Sequence, residues 1–300
     1  MGLTILVFAK QVPDTKNITG DAMKEDGTVN RGALPAIFNP EDLNALEMAL
    51  QLRDNHGGKV VLFTMGPPGA VGLLREGLYI GADEAVLLTD RAFAGADTLA
   101  TSYTLACAAE KYGGYDLVLT GRQAIDGDTA QVGPQLAEKL KLPQLTYVEE
   151  VTSVDDGRIT TRCLIEGGDE VLESPMPALL TVTATANTPR PPGARRLMQY
   201  KKAMTRSELS AKHGGSDYED ANILAEEEQR LRRNNLWIHE WTGSDIGAES
   251  GRLGIPGSPT KVKNIESVVV GGERELRNIP SDQKSLDDLM HELIGEHILS

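Results

Sequence analysis

Leu3 to Phe8 is an apolar, β-branched run with Thr4, Ile5 and Val7 as its β-branched members, the expected look of a strand buried on both faces. Shorter runs of this kind recur at Val60 to Thr64, Ala85 to Leu88, Leu117 to Thr120 and Leu179 to Thr183. Between them, apolar positions fall three and four residues apart. Glu41 to Leu52 spaces Leu43, Leu46 and Leu50 with Ala45 and Ala49 in this way. Gly69 to Ile80, Ala96 to Lys111 and Thr129 to Leu140 repeat the spacing, so each reads as a helix. Strand alternating with helix predicts an α/β chain, and right-handed crossovers make it a doubly wound, mostly parallel sheet.

Two stretches break the alternation. Val148 to Pro177 reads as short strands around turns at Asp155-Asp156-Gly157 and Glu166-Gly167-Gly168-Asp169, a hairpin excursion before the last core strand. Asn187-Thr188-Pro189-Arg190-Pro191-Pro192-Gly193 then closes the compact part as a stiff loop, since each proline fixes its own φ and pushes its predecessor towards extended geometry. Beyond it the texture changes: basic Arg195, Arg196, Lys201 and Lys202, an acidic run at Glu226-Glu227-Glu228, and a Gly-, Ser- and Pro-rich stretch from Gly243 to Thr260. An amphipathic helix from Leu286 to Ile298 follows, with Leu289, Leu293 and Ile298 on one side. Residues 1–190 therefore read as one α/β domain and 191–300 as an arm that wraps a partner; a small separate C-terminal domain is the competing reading. Trp237 and Trp241, four apart around Ile238, read as anchors of that arm on an apolar surface.

Composition narrows the function classes. Of 300 residues, 44 are acidic and 30 basic, giving a net charge of −14, which argues against broad nucleic-acid backbone binding. Two cysteines, Cys107 and Cys163, in no CxxC spacing, exclude a disulfide scaffold and a four-thiolate metal site. The apolar start is short and lacks a basic flank, so it reads as a strand rather than a signal peptide. No run approaches the ~18 apolar residues of a membrane span. A cytoplasmic protein without membrane insertion is the expectation.

Candidate chemistry concentrates at Gly121-Arg122-Gln123-Ala124-Ile125-Asp126-Gly127-Asp128-Thr129-Ala130-Gln131-Val132-Gly133, between a strand and a helix. Parallel sheets bind ligands beyond the carboxyl ends of their strands, and helix N-termini receive phosphates on free backbone N–H groups. Thr129 is placed to N-cap the helix, and Gly127 to let backbone approach a ligand. A capped turn with acids complementing the helix dipole explains the same residues without a ligand. Three further strand or helix ends point the same way: Phe8-Ala9-Lys10-Gln11-Val12-Pro13-Asp14, Phe38-Asn39-Pro40-Glu41-Asp42 and Thr64-Met65-Gly66-Pro67-Pro68. Asn39 is the N-cap and Pro40 the first helical residue. The five histidines show no i, i+4 metal pair, and no GxSxG elbow occurs. A binding site without an acid, base or nucleophile implies chemistry that belongs to a bound cofactor.

Lys10-Gln11-Val12-Pro13-Asp14, Phe38-Asn39-Pro40, Thr64-Met65-Gly66-Pro67, Gly81-Ala82-Asp83 and the Gly121 to Gln131 stretch together resemble the electron transfer flavoprotein β subunit. The likeness runs from residue 3 to 205 with motifs in order, and Gly254-Ile255-Pro256-Gly257-Ser258-Pro259-Thr260 extends it. It implies a nucleotide-binding, adenine nucleotide α-hydrolase-like α/β domain, with a C-terminal arm and helix packing on an α subunit. The implied role is an electron-transfer subunit, active in NADH-dependent flavin redox chemistry only within the heterodimer.

One branch of that family holds AMP in the β subunit as a structural ligand. Another, from anaerobic and nitrogen-fixing prokaryotes, holds a second FAD that exchanges electrons with NADH by bifurcation or confurcation. The chain looks more like the second, because Gly127 separates Asp126 from Asp128 where the mitochondrial pattern runs three acids together. The Glu41-Asp42 pair, the Asp26-Gly27-Thr28-Val29-Asn30 turn and the long tail resemble that branch as well. Ala194 stands where the mitochondrial type carries its docking leucine, so an acyl-CoA dehydrogenase or another redox partner is implied without being specified.

By position the resemblance places the cofactor on Ala9, Asn39, Asp42, Met65, Gly66, Gln123, Ala124, Asp126, Gly127, Asp128, Thr129, Ala130, Gln131 and Val132. In that scheme backbone N–H groups of Gly127 to Gln131 hold phosphate with help from the Thr129 hydroxyl. Asn39 and Ala9 meet the adenosine end, while Asp126 and Asp128 orient the loop or a ribose. A universal-stress-type nucleotide-binding module shares a similar sheet, but would have no use for the long tail.

Overall fold

The computed structural model describes residues 2–14, 35–213, 218–260, 279–280 and 282–295. The expected turn at Asp26 to Asn30 and the expected helix end at Ile298 lie outside them. Two compact units are distinguished, Met1–Lys261 and Val262–Ser300.

The parallel core is built from β1 (Leu3–Phe8), β4 (Gly58–Met65), β5 (Glu84–Leu88), β6 (Leu117–Gly121) and β10 (Ala178–Val182). Their order β5-β4-β1-β6-β10, all parallel, makes the sheet doubly wound about β1. Helices α1 (Pro40–His56) and α2 (Val71–Ile80) pack on one face, through Ala45, Leu46, Ala49, Leu50 and Leu74. Helices α3 (Thr98–Tyr112) and α4 (Val132–Leu140) pack on the other, through Leu105, Ala108, Ala109 and Leu136. Because both faces are covered, the central strands are mostly aliphatic, with threonine as the usual polar member, which is why they stand out in the sequence as near-continuous runs. Cys107 is buried in α3 as one of its small residues.

Between β6 and β10 the chain makes an antiparallel meander of β7 (Gln144–Asp155), β8 (Arg158–Ile165) and β9 (Gly168–Pro175). β10 then returns to lie between β6 and β7, pairing parallel with each. Cross-strand ion pairs Arg158–Glu173 and Arg162–Asp169 line the exposed meander. The small pair β2 (Gln11–Pro13) and β3 (Ala36–Phe38) brings the start of α1 beside the end of β1, where the Asn39 N–H meets the Lys10 carbonyl at 3.0 Å.

The chain after residue 190 is tied down at several points. Arg190 donates to Glu47 and Asp54 on α1. Arg196 donates to the Leu78 and Ala82 carbonyls at the end of α2, so it caps that helix, while Arg195, Lys201 and Lys202 stay exposed. Helices α5 (Ala194–Tyr200), α6 (Arg206–Lys212) and α7 (Tyr218–Arg233) follow, and β11 (His239–Trp241) joins the sheet parallel to β5. Trp241 stands in an edge strand with its ring 6.0 Å from that of Phe63, and Trp237 lies under the Arg232 guanidinium. In the second unit α8 (Gln283–Gly295) presents Leu286, Met290 and Ile294 to solvent. Among the described residues no helix is long and apolar enough to cross a membrane.

Candidate functional site

Connections from β1 to β5 run on one face and those after β5 on the other, so the strand order reverses between β1 and β6. Ligands of open parallel sheets settle in the crevice at such a reversal. Here that crevice is a cavity of about 880 Å³, within the ~300–1,000 Å³ of small-molecule sites. The ends of β1, β4, β5 and β6 and the start of α4 all open into it.

The loop after β6 is held from beneath by the first turn of α1. Asn39, fully buried, donates its amide to the Gln123 carbonyl at 2.9 Å and accepts from the Ile125 N–H at 3.1 Å. Glu41 accepts from the Gln123 N–H at 2.9 Å and pairs with Arg122 at 2.9 Å. Asp42 accepts from the Gly121 N–H at 2.9 Å and the Lys10 N–H at 2.8 Å. Burial pushes the Asp42 carboxyl up to about 7, against the two N–H groups that pull it down. The approach is too close for any side chain at Gly121, where a Cβ would lie 2.6 Å from Asp42 Oδ1.

Above this support the backbone takes left-handed φ at Asp128 (47°) and again at Ala130 (51°). Alternation of this kind turns successive N–H groups towards one point and forms an anion-binding nest. The N–H groups of Gly127 and Asp128 turn back to the Ala124 carbonyl. Those of Thr129, Ala130 and Gln131 have no acceptor among the described residues. Gly127 has open space where a Cβ would stand. The acids are spent on the loop: Asp126 accepts from Lys10 Nζ at 2.7 Å and Asp128 from the Gln123 amide at 3.0 Å.

Ala9, Asp42, Met65, Gly66, Gln123, Ala124, Gly127, Asp128, Thr129, Ala130, Gln131 and Val132 are brought together around the cavity. Asn39 and Asp126 are not in its lining; each reaches it through the loop. Thr129 does not cap α4. That helix begins at Val132, because a left-handed Ala130 cannot continue a right-handed helix back towards Thr129.

Sequence reasoning missed two features. Thr64 and Thr120, at the ends of β4 and β6, bury hydroxyl oxygens that have no partner among the described residues, which is the condition of polar groups that await one. The opposite wall, 89–98, was also missed, although the β5 run ending at Leu88 announced a fourth strand end there. Asp97 N-caps α3, accepting from the Leu99 and Ala100 N–H groups. Its own N–H donates to Ser258 Oγ at 2.8 Å, and its second oxygen accepts from the Thr260 N–H. The Gly254 to Thr260 segment is thereby part of the wall. Gly254 (φ 49°) comes so close that a Cβ would lie 2.3 Å from the Ala92 carbonyl oxygen.

Residues 26–210 match the electron transfer flavoprotein domain. The chain is 45% identical over 278 residues, 93% of each chain, to an electron transfer flavoprotein subunit beta of Clostridium acetobutylicum. It is 40% identical to the caffeyl-CoA reductase-Etf complex subunit CarD of Acetobacterium woodii, across 99% of this chain and all of that one. A FixA protein of Sinorhizobium fredii is 41% identical, over 97% of this chain and 92% of its own.

Proposed function

This chain belongs to the electron transfer flavoprotein family as a β subunit, and we propose that it holds FAD in the cleft between β1 and β6. The observation that carries the reading is the nest of unpartnered N–H groups at 129–131, made by left-handed φ at Asp128 and Ala130, at the switch point of the sheet. The residues present fit such a ligand. The nest suits a pyrophosphate, the buried Thr64 and Thr120 hydroxyls lack partners among the described residues, and the cavity runs on past the nest to residues 93–98. A mononucleotide would use the nest and leave that far part to water.

In this reading the chain's residues bind and orient. Thr129, Ala130 and Gln131 hold the pyrophosphate through backbone N–H groups, and Gly127 leaves room beside them. Ala9, Met65 and Gly66 meet the cofactor from the ends of β1 and β4. Asn39, Asp126 and Asp128 fix the loop that carries the nest. Bound there, the flavin supplies the redox chemistry, exchanging electrons with NADH and with the FAD of the α subunit, in bifurcation or confurcation. The partners are that α subunit, through residues 191–300, and a dehydrogenase or other redox protein. Among the relatives, one is named for a caffeyl-CoA reductase complex, which favours such an assembly. AMP in the same nest, leaving this chain a structural subunit, is the second reading; the nest alone is enough for it.

The test is a nucleotide count on the heterodimer, co-expressed, denatured and separated. Two FAD and no AMP are expected; one FAD with one AMP would replace the proposal by the second reading. Gly127→Leu, whose side chain would project into the open space beside the nest, is expected to lose the nucleotide of this subunit only. A fully loaded Gly127→Leu heterodimer would remove the loop from the site.

A further inference from the structure

The three polar side chains in the first turn of α1 do different jobs. Asn39 and Glu41 bond the loop after β6, and Asn39 also lends its amide to the Asp42 carboxylate. Asp42 serves two strand ends at once, Oδ2 on the N–H of Lys10 just past β1 and Oδ1 on the N–H of Gly121 at the end of β6. Those ends flank the reversal of strand order, and Asp42 lies in the cavity wall at 6% exposure. We infer that Asp42 is a positioning residue for the nucleotide. As a carboxylate it holds the two strand ends at one spacing and so sets the loop's unpartnered N–H groups for phosphate; protonating it releases one end and weakens binding. The inference rests on the proposal that the cleft holds a nucleotide.

The physical reason is the donor count. An ionised carboxylate accepts on both oxygens, whereas a carboxylic acid or an amide presents a donor on one side. Opposite two N–H groups, one contact then becomes donor against donor, and a buried N–H is left unpaired. The bridge has no slack to absorb this, since the Gly121 backbone already sits against the carboxylate.

The other charged groups nearby are paired. Glu41, on the same turn, is matched by Arg122 from the loop, and the Lys10 ammonium goes to Asp126. Among the described residues no histidine lines the cavity. Burial raises Asp42 to about 7, so it is the carboxyl here that changes charge near neutrality. A ligand that requires the ionised form binds about tenfold more weakly for each pH unit below that midpoint.

The experiment uses the heterodimer with its α subunit, stripped of nucleotide at this site and titrated with FAD, whose pyrophosphate keeps its charge throughout. Binding at this site is expected to be about tenfold weaker at about pH 6 than at about pH 8. Asp42→Asn is expected to bind about tenfold more weakly than wild type at about pH 8 and to show no pH step. A variant with wild-type affinity and the wild-type step would overturn the inference. So would a flat wild-type profile, which needs no variant and therefore does not depend on Asp42→Asn folding. A site that takes no FAD counts against the flavin proposal instead. AMP then replaces it at about pH 8, wild type against Asp42→Asn: a tenfold loss upholds Asp42 and equal binding refutes it.

Discussion

The two walls of the cleft are built on opposite plans. The wall at 121–131 is held by Asn39, Glu41, Asp42 and Lys10, which belong to the elements that form the centre of the sheet. The wall at 89–98 is held by the far end of the unit. Trp241 accepts the Thr89 N–H, the Gly243 N–H reaches Asp90, and Ser258 and Thr260 fix Asp97. One wall is as rigid as the core that carries it. The other depends on residues more than 140 positions away and is only as firm as their docking.

Substitutions on the two sides should therefore differ in size and in reach. The largest effect belongs to the first wall. Gly121→Ala would force a Cβ against the Asp42 carboxylate and the α1 backbone. It should cost about 3 kcal/mol in chemical denaturation and loosen the amides of the loop; a wild-type midpoint would show that the first wall yields. Trp241→Ala comes next, at about 2 kcal/mol, since its ring packs on Phe63 at the base of the cleft. Its signature is faster hydrogen exchange at 89–98 with unchanged exchange at 121–125. Equal loosening of both would abolish the contrast.

Ser258→Ala removes an acceptor from the Asp97 N–H and a donor from the Gly254 carbonyl. About 1 kcal/mol is expected, seen as easier proteolysis at 89–98 at an unaltered global midpoint. The smallest effect is a pH dependence. Burial, with Arg232 adding to it, holds the His239 imidazole below its usual range. The unfolded chain then binds more protons near and below pH ~6.5. The strand's contribution is thus intact above that pH and declines as pH falls towards the folded value. His239→Gln should flatten the acid limb of the stability curve; an unchanged limb would exonerate the imidazole.

How legible each wall was follows from the same division. β1 was readable to the residue because a strand covered on both faces carries a near-continuous apolar run, broken only by the β-branched Thr4. Asn39-Pro40 announced α1 because a proline at the first helical position marks a start locally; Asn39 sits at the N-cap, but its side chain bonds the loop after β6 instead of capping the helix. The Gly121 to Gly133 loop was readable as a site from its place between strand and helix. Its left-handed residues were not, since Asp128 and Ala130 carry no sequence mark of positive φ. β11 was not legible because three half-buried residues at a sheet edge have too little pattern to fix a period. The 89–98 wall was missed for a related reason: its partners are remote, and no local signal records a contact between Asp97 and Ser258. Arg196 read as one residue of a basic stretch with Arg195, Lys201 and Lys202, and it caps a helix instead, which only the position of α2 reveals.

β11 pairs with a strand that ends at Leu88, and this has a consequence for how the protein is made. When a ribosome has delivered the chain as far as residue 131, the first wall has all its parts. The second still waits for residues 239–260. At ordinary translation speeds of ~5–20 residues per second, that interval is on the order of ten seconds. Throughout it the β5 edge is an unpaired strand beside a half-built cleft, a shape that invites mispairing. Closure of the cleft is then a late event, which follows release of residues 239–260 from the exit tunnel rather than completion of the loop after β6.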